Sequence, residues 1–380
     1  MRTMTKAKMT MTLLLCFICS IAFSDELKIN DNSNENYKYT KKRSIDANFD
    51  ARSNYKLNLY GSFSDYKIAT WNENYVSFHV EIITKSNREK AAEEMLNNIN
   101  VEFDNMKSTE IIEARTTIKT KKTTNISFQI NYYIMIPDNL YLTINNSYGD
   151  IEIDKLSKDL NLELDFGSFS IDSLLSNNNK LDLNYSDVKI KYSNKIEGKI
   201  GFSDIRINNS KNVNLNMKYG NGKFGDIKKL TATCEFSEIS CNYADFVSLD
   251  IKYTDTYFEK VNEITIDDSY SDVEIDYLLK KINFTSTYGD IEINKIDNDF
   301  KLIDISSRYG DVDLMLNKEL NFSYYISTEY GQIDSKYLKD NARVYIYEIN
   351  NKEKISGNIE MVDQKINIEV KYGDVDIDFE

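Results

Sequence analysis

An aromatic–small–acidic triplet recurs along this chain at a nearly constant interval, and that interval limits the fold more than any other feature. Tyr148-Gly149-Asp150-Ile151-Glu152-Ile153 returns almost verbatim from Tyr288, Tyr309 and Tyr372. Looser copies start at Phe166, Tyr185, Phe202, Tyr219, Phe236, Tyr253, Tyr270 and Tyr330. From Tyr148 the aromatic recurs at steps of 18, 19, 17, 17, 17, 17, 17, 18, 21, 21 and 42. A period near 17 marks stacked supersecondary units, none of which can bury its apolar face alone, rather than one globular core.

Counting from the aromatic as position 0, apolar residues favour positions −6, −4, −2, 0, +3, +5 and +8, as in Val213, Leu215, Met217 and Tyr219, or Val188 and Ile190 after Tyr185. Steps of two describe a strand with one buried face, and a step of three exchanges inside for outside. Each unit is therefore a strand, a corner at the Gly/Ser-Asp dipeptide, a second strand and a return. The predicted fold class is an all-β, single-stranded β-solenoid of about twelve rungs, some 55–60 Å long at roughly 4.8 Å per rung. Position 0 is expected to form an aromatic ladder inside it.

The small residue at +1 is Gly149, Gly167, Gly289, Gly310, Gly331 or Gly373, but also Ser186, Ser203, Ser237, Ser271 or Thr254. A β-branched residue at positive φ is a genuine outlier, so the corner selects for a small side chain at +1, not for left-handed backbone there. The Asp at +2 is expected to close the turn by accepting backbone N–H groups. Between Tyr330 and Tyr372 one rung carries an insertion near 340–365, read as a hairpin of Arg343–Ile349 with Lys354–Glu360 around Asn350-Asn351-Lys352. Phe379-Glu380 is expected to end an uncapped edge, where Asp374, Asp376, Asp378 and Glu380 would repel edge-to-edge pairing.

Residues 1–24 read as a signal peptide: Arg2, Lys6 and Lys8 precede the apolar run Met11–Phe23, and Ala22-Phe23-Ser24 offers a cleavage site. The run is too short for a membrane span, and no later segment approaches one. Cys16 and Cys19 leave lipidation as the alternative, with a poor lipobox because Ile18 precedes Cys19. Cleavage would take the net charge from −14 to −17, which disfavours a nucleic-acid partner. Residues 25–36 form a polar leader. Residues 37–137 form an N-terminal strand and helix module, in which Val76, Phe78, Val80 and Ile82 alternate as a strand. Ser86–Ile99 is its helix, with Ala91, Ala92, Met95, Leu96 and Ile99 on one face and Ser86 as its cap. Residues 138–380 carry the solenoid.

The Tyr-Gly-Asp series, Leu59-Tyr60-Gly61 followed by Trp71-Asn72-Glu73-Asn74, the helix near Glu89–Leu96 and Tyr132–Pro137 together resemble the bacterial "putative adhesin" family of exported β-strand-repeat domains. The resemblance runs from Leu57 to the C-terminus. It implies an exported β-solenoid at the periplasm or cell surface, of unknown molecular function, with no catalytic residues to carry over. Ser62-Phe63-Ser64 departs from the pattern, since Asp-Ile is expected after Gly61.

Four features bear on chemistry. Outward carboxylates at +2, +4 and +6 of the later rungs, among them Asp272, Glu274, Asp290, Glu292, Asp311 and Asp313, are stacked oxygen ligands of the kind Ca²⁺ takes, or a solvated acidic face. The same face earlier in the chain carries Lys189, Lys191, Arg206 and Lys223. Cys234 and Cys241, at −2 and +5 of one rung, both point inward, where they could bond or pack as small apolar side chains. Asp268, Ser286, Ser307 and Thr328 make position −2 polar in late rungs, a hydroxyl ladder. His79, the only histidine, falls on the solvent side of its strand, with no nucleophile arranged around it. The reading is a non-enzymatic envelope module without a cofactor, structural or adhesin-like, with a protein or polysaccharide partner. The alternative is a polysaccharide-active enzyme using a carboxylate pair on the solenoid side.

Overall fold

A computed structural model describes residues 37–52, 54–119, 125–340, 344–359 and 363–380. The expected signal peptide, with Cys16 and Cys19, and the leader lie outside these residues. The chain divides into two compact units, one holding the described residues up to Arg43 with Ile82–Asn100 and Ile118–Gln129, the other holding Ser44–Glu81, Val101–Thr117 and Ile130–Glu380.

In the first unit the expected helix is shorter, Glu89–Asn98, and buries Ala91, Ala92 and Met95 while Leu96 is half-buried and Ile99 already begins the next strand. Ser86 is not its cap. The N-cap is Arg88, without a side-chain cap bond, and the Ser86 hydroxyl accepts the Arg88 N–H at 3.3 Å while donating to the Asn125 carbonyl. The first turn is held instead by Glu89, which pairs with Lys41 at 2.7 Å.

The second unit is a stack of rungs joined by in-register parallel pairing. Along position −6, Leu57 pairs with Leu142, Leu142 with Leu160, Val213 with Leu230, Leu230 with Val247 and Val247 with Ile264. Burying one such side chain stabilises by about 1.5–3 kcal/mol, and the same residue type recurs on the same column in rung after rung. The inward set differs from the expected one at a single position. Around Tyr219 the buried residues are Val213, Leu215, Met217, Gly220, Gly222, Phe224 and Ile227, so position +1 is inside and position 0 is outside.

The backbone explains the exchange. Phe63, Tyr148, Phe166, Tyr185, Phe202, Tyr219, Phe236, Tyr253, Tyr270, Tyr309, Tyr330 and Tyr372 all have φ between 49° and 68°. A single left-handed residue between −2 and +1 swaps the two faces of the strand and turns the corner. Glycine takes no part in this, because no glycine has positive φ. The small residue at +1 is selected by close approach, as expected. A Cβ placed on Gly167 would lie 2.1 Å from the Gly149 carbonyl oxygen, and one on Gly310 would lie 2.0 Å from that of Gly289.

Both ends of the stack depart from the sequence reading. The first corner is Phe63-Ser64-Asp65 rather than Tyr60-Gly61-Ser62: Phe63 has φ 58° and stacks on Tyr148 at 4.9 Å. The irregularity after Gly61 is thus the corner itself, and strand pairing carries the rungs back to Lys56. At the other end, the last rung in sequence is not the last in space. Lys365–Lys371 pairs with Leu302–Arg308 on one side and Ser323–Glu329 on the other, and Val375–Phe379 sits between Val312–Leu316 and Ile333–Asp334. Asp374, Asp376 and Asp378 therefore belong to an interior rung and guard no edge. The outermost rung is that of Tyr330, and its strand Ser323–Glu329 is covered by Lys352–Asn358, half of the expected hairpin with Val344–Ile349. This antiparallel cover occupies hydrogen-bonding groups that would otherwise be open.

Candidate functional site

The aromatics form an external ridge. Phe63, Tyr148, Phe166, Tyr185, Phe202, Tyr219, Phe236, Tyr253, Tyr270, Tyr288, Tyr309, Tyr372 and Tyr330 stack in that order, with centroids 4.7–5.1 Å apart and planes within 16°. From Tyr148 onward they are 38–52% exposed, with Phe63 half-buried at the end, which corrects the expected internal ladder. Sequence reasoning placed them inside because hydrophobic residues usually are, but a left-handed residue points its side chain away from the core that its neighbours enter. Ring faces cover one another, so the ridge presents edges and phenol hydroxyls.

Beside the ridge, the +2 carboxylates tie rungs together. Asp290 Oδ1 accepts the Asp311 N–H at 2.8 Å, Asp311 accepts that of Asp374 at 2.8 Å, and Asp374 accepts that of Gln332 at 2.8 Å. The bond is made to the next rung, not within the turn as expected. Where +1 is a hydroxyl residue, a second ladder runs beneath: the Ser186 N–H donates to Ser203 Oγ, and Ser237 and Thr254 repeat the arrangement with Thr254 and Ser271.

Position +4 carries the charge. Parallel pairing lines up Lys67, Glu152, Ser170, Lys189, Arg206, Lys223, Ser240, Tyr257, Glu274, Glu292, Asp313, Asp376 and Asp334 in one column, with three successive cations from Lys189 to Lys223 and five successive carboxylates from Glu274 to Asp334. Like charges in adjacent strands repel. Burial, reinforced by Asp376 and Glu292, pushes the Asp313 carboxyl up to about 6, and Asp376 is raised for the same reasons, with Asp334 and Asp374 nearby. Among the described residues no group of three His, Cys, Asp or Glu side chains is placed to hold a metal ion. The calcium candidates Asp272, Glu274, Asp290, Glu292, Asp311 and Asp313 form columns rather than a cage.

Inside the stack, Cys234 and Cys241 are free thiols, so they do not form the disulfide allowed by their inward positions. Cys241 Sγ points at the Tyr243 and Gly225 carbonyls instead, and burial pushes both thiols up to about 12. The −2 column is not a continuous hydroxyl ladder. Ser286 donates to Asp268 at 2.6 Å, Ser307 and Thr328 donate to the Gly310 and Gly373 carbonyls, and Val370 intervenes between the last two. Burial raises the Asp268 carboxyl despite that bond. His79 lies on the solvent side, its Nδ1 2.7 Å from Asp46. An open cleft of about 530 Å³ near the Tyr330 end is lined by Lys318, Lys336, Tyr337, Asp340, Asp378 and Phe379.

No curated protein matches the chain. Solved structures similar to it include a "putative cell adhesion protein" from Clostridium sporogenes, 12% identical over 90% of this chain and 100% of that one, with a TM-score of 0.20. A "putative adhesin" from Bacteroides fragilis is 14% identical over 67% and 97%, with a TM-score of 0.30. A "putative lipid binding protein" from Parabacteroides distasonis is 13% identical over 73% and 96%, with a TM-score of 0.27. Residues 191–378, a stretch made up of the solenoid rungs, match the family model described as Toastrack DUF4097.

Proposed function

We propose that this chain is an exported, non-enzymatic β-solenoid that acts at the bacterial cell envelope as a structural or adhesin-like module, offering an extended surface to a protein or polysaccharide partner. The observation that carries this reading is the arrangement of its exposed chemistry. Aromatic rings recur once per rung, and +2 carboxylates and +4 charges in most rungs, all in straight columns, whereas a catalytic centre gathers different groups from different elements at one point. Long periodic faces are what solenoids use for binding. Within the described residues no helix is long and apolar enough to cross a membrane.

Fractionating cells that express the full-length chain, followed by pull-down from envelope extract, tests the reading. The expected result is a processed chain in the envelope or extracellular fraction that captures an envelope component. A chain confined to the cytoplasm overturns it. Release of reducing ends from envelope polysaccharide, lost in Asp378→Asn or Asp340→Asn, would instead favour an enzyme centred on the cleft near the Tyr330 end.

A further inference from the structure

Between Lys189 and Asp376 the +4 column is charged in a pattern that is nearly its own complement. Tyr257 is its midpoint. Counting outward, the residues two, three and four rungs away are Lys223, Arg206 and Lys189 in one direction and Glu292, Asp313 and Asp376 in the other. At position +6 only the outermost of these rungs repeat it, with Lys191 beside Lys189 and Asp378 beside Asp376, and Lys191 also pairs with Asp172 at 2.6 Å. All of these side chains except Ser240 are exposed along the +4 column, and the cations Lys189, Arg206 and Lys223 form no ion pair with a described residue.

From this we infer that the outward sheet of the solenoid is a self-association surface, which pairs with a second copy of the chain about a two-fold axis passing through Tyr257 and running along the strands. That axis reverses the stacking direction of the second copy and leaves strand direction unchanged. Lys223 then meets Glu292, Arg206 meets Asp313 and Lys189 meets Asp376, and each pair is made twice. Register needs no adjustment, because both surfaces share one rung spacing of about 4.8 Å, and facing sheets at about 10 Å leave room for long charged side chains to meet.

Three considerations favour this occupant over an unrelated one. Each column is repulsive within the single chain, with five successive carboxylates from Glu274 to Asp334 and three successive cations from Lys189 to Lys223, and apposition relieves both runs together. A translational offset that brought cations to carboxylates would leave half of each column unmatched and generate an open filament, whereas the two-fold arrangement closes and gives each of Lys189, Arg206 and Lys223 a carboxylate. The +2 positions, mostly acidic, do not match, but Asp204, Asp290, Asp311 and Asp374 are turned along the sheet to accept neighbouring N–H groups, which leaves +4 as the projecting charge. The inference rests on the column alone and is independent of any envelope partner.

Sedimentation equilibrium of the full-length mature chain tests it. Wild type is expected to have a two-chain mass at low ionic strength and a one-chain mass in about 1 M salt, where screening shortens to about 3 Å. Arg206→Asp and Asp313→Arg, each placing two like-charge pairs in the interface, should each weaken association by about tenfold or more. Mixing the two variants should restore the two-chain mass, since every altered pair becomes Asp against Arg, and so should the double exchange in a single chain. Circular dichroism of each variant separates misfolding from lost association. A one-chain mass for wild type at low salt, a two-chain mass retained by both single variants, no recovery on mixing, or an open series of masses would each overturn the inference.

Discussion

Tyr372, the last aromatic of the repeat, stacks on Tyr309 at 4.8 Å, while Tyr330, which comes between them in sequence, is pushed to the far side of Tyr372. The C-terminal strand is therefore an interior strand with a partner on each side. In hydrogen–deuterium exchange, amides of Lys365–Lys371 should be as protected as those of Leu302–Arg308, and the hairpin strand Val344–Ile349 should exchange far faster. A frayed, quickly exchanging C-terminus would contradict the intercalated rung.

The corner aromatic combines an unfavourable backbone with a favourable side chain. Left-handed φ costs a side-chain-bearing residue about 1–2 kcal/mol, and each stacked pair returns about 0.5–1.5 kcal/mol. Truncating Tyr253, at φ 50° between Phe236 and Tyr270, removes two stacks. Tyr253→Gly should nonetheless be more stable than Tyr253→Ala by about 1 kcal/mol, the reverse of the usual order within strands. Chemical denaturation of both variants decides it.

At +1 the opposite rule holds. Gly310→Ala would push a methyl group to 2.0 Å from the Gly289 carbonyl oxygen, which is backbone and has little freedom to yield. The expected loss is about 1–3 kcal/mol. Ser237→Ala keeps the volume but removes both the acceptor for the Gly220 N–H and the donor to the Glu235 carbonyl, at an expected cost of about 1–2 kcal/mol. Thermal unfolding of the two variants should show Tm falling in both.

The acidic column makes stability fall as pH rises. Burial, with Asp376 and Glu292 nearby, pushes the Asp313 carboxyl up from its ordinary value of 3.8 to about 6. The folded chain thus holds its proton more tightly than the unfolded chain, so the stabilising contribution is fully present below the unfolded value and is lost as pH climbs through about 6. Asp376 and Asp268 are shifted in the same direction and add to the effect. At high dilution, where single chains dominate, Tm should decline across this window, and Asp313→Asn should reduce the slope and raise Tm at neutral pH.

The two internal thiols should be silent in the native state. Cys234 and Cys241 are buried, and their thiols are pushed up to about 12, away from the reactive thiolate form. Thiol titration should find neither until the chain is unfolded and both afterwards, and reductant should leave Tm unchanged. A reductant-sensitive Tm would mean that the pair does bond.

The period near 17 and its steps of two and three were enough to establish a stacked β-solenoid, its inward columns away from the corner, the small residue at +1, the helix face and the inserted hairpin. Those features depend on local chemistry, namely alternation along a strand, volume at a tight approach and turn residues between strands. The tertiary structure decided the rest. The outward turn of Tyr148 and its equivalents depends on the sign of one backbone angle, which the pattern −2, 0, +3 does not distinguish from −2, +1, +3 when +1 is glycine or serine. The choice of Phe63 over Tyr60 as the first corner depends on which residue finds Tyr148 above it. The Asp at +2 was legible as an acceptor, but its donor lies a rung away. The placement of Tyr372 between Tyr309 and Tyr330, like the alignment of Arg206 and Asp313 on one column, arises only once rungs stack, because stacking order is set by which edges remain open to pair and not by order along the chain.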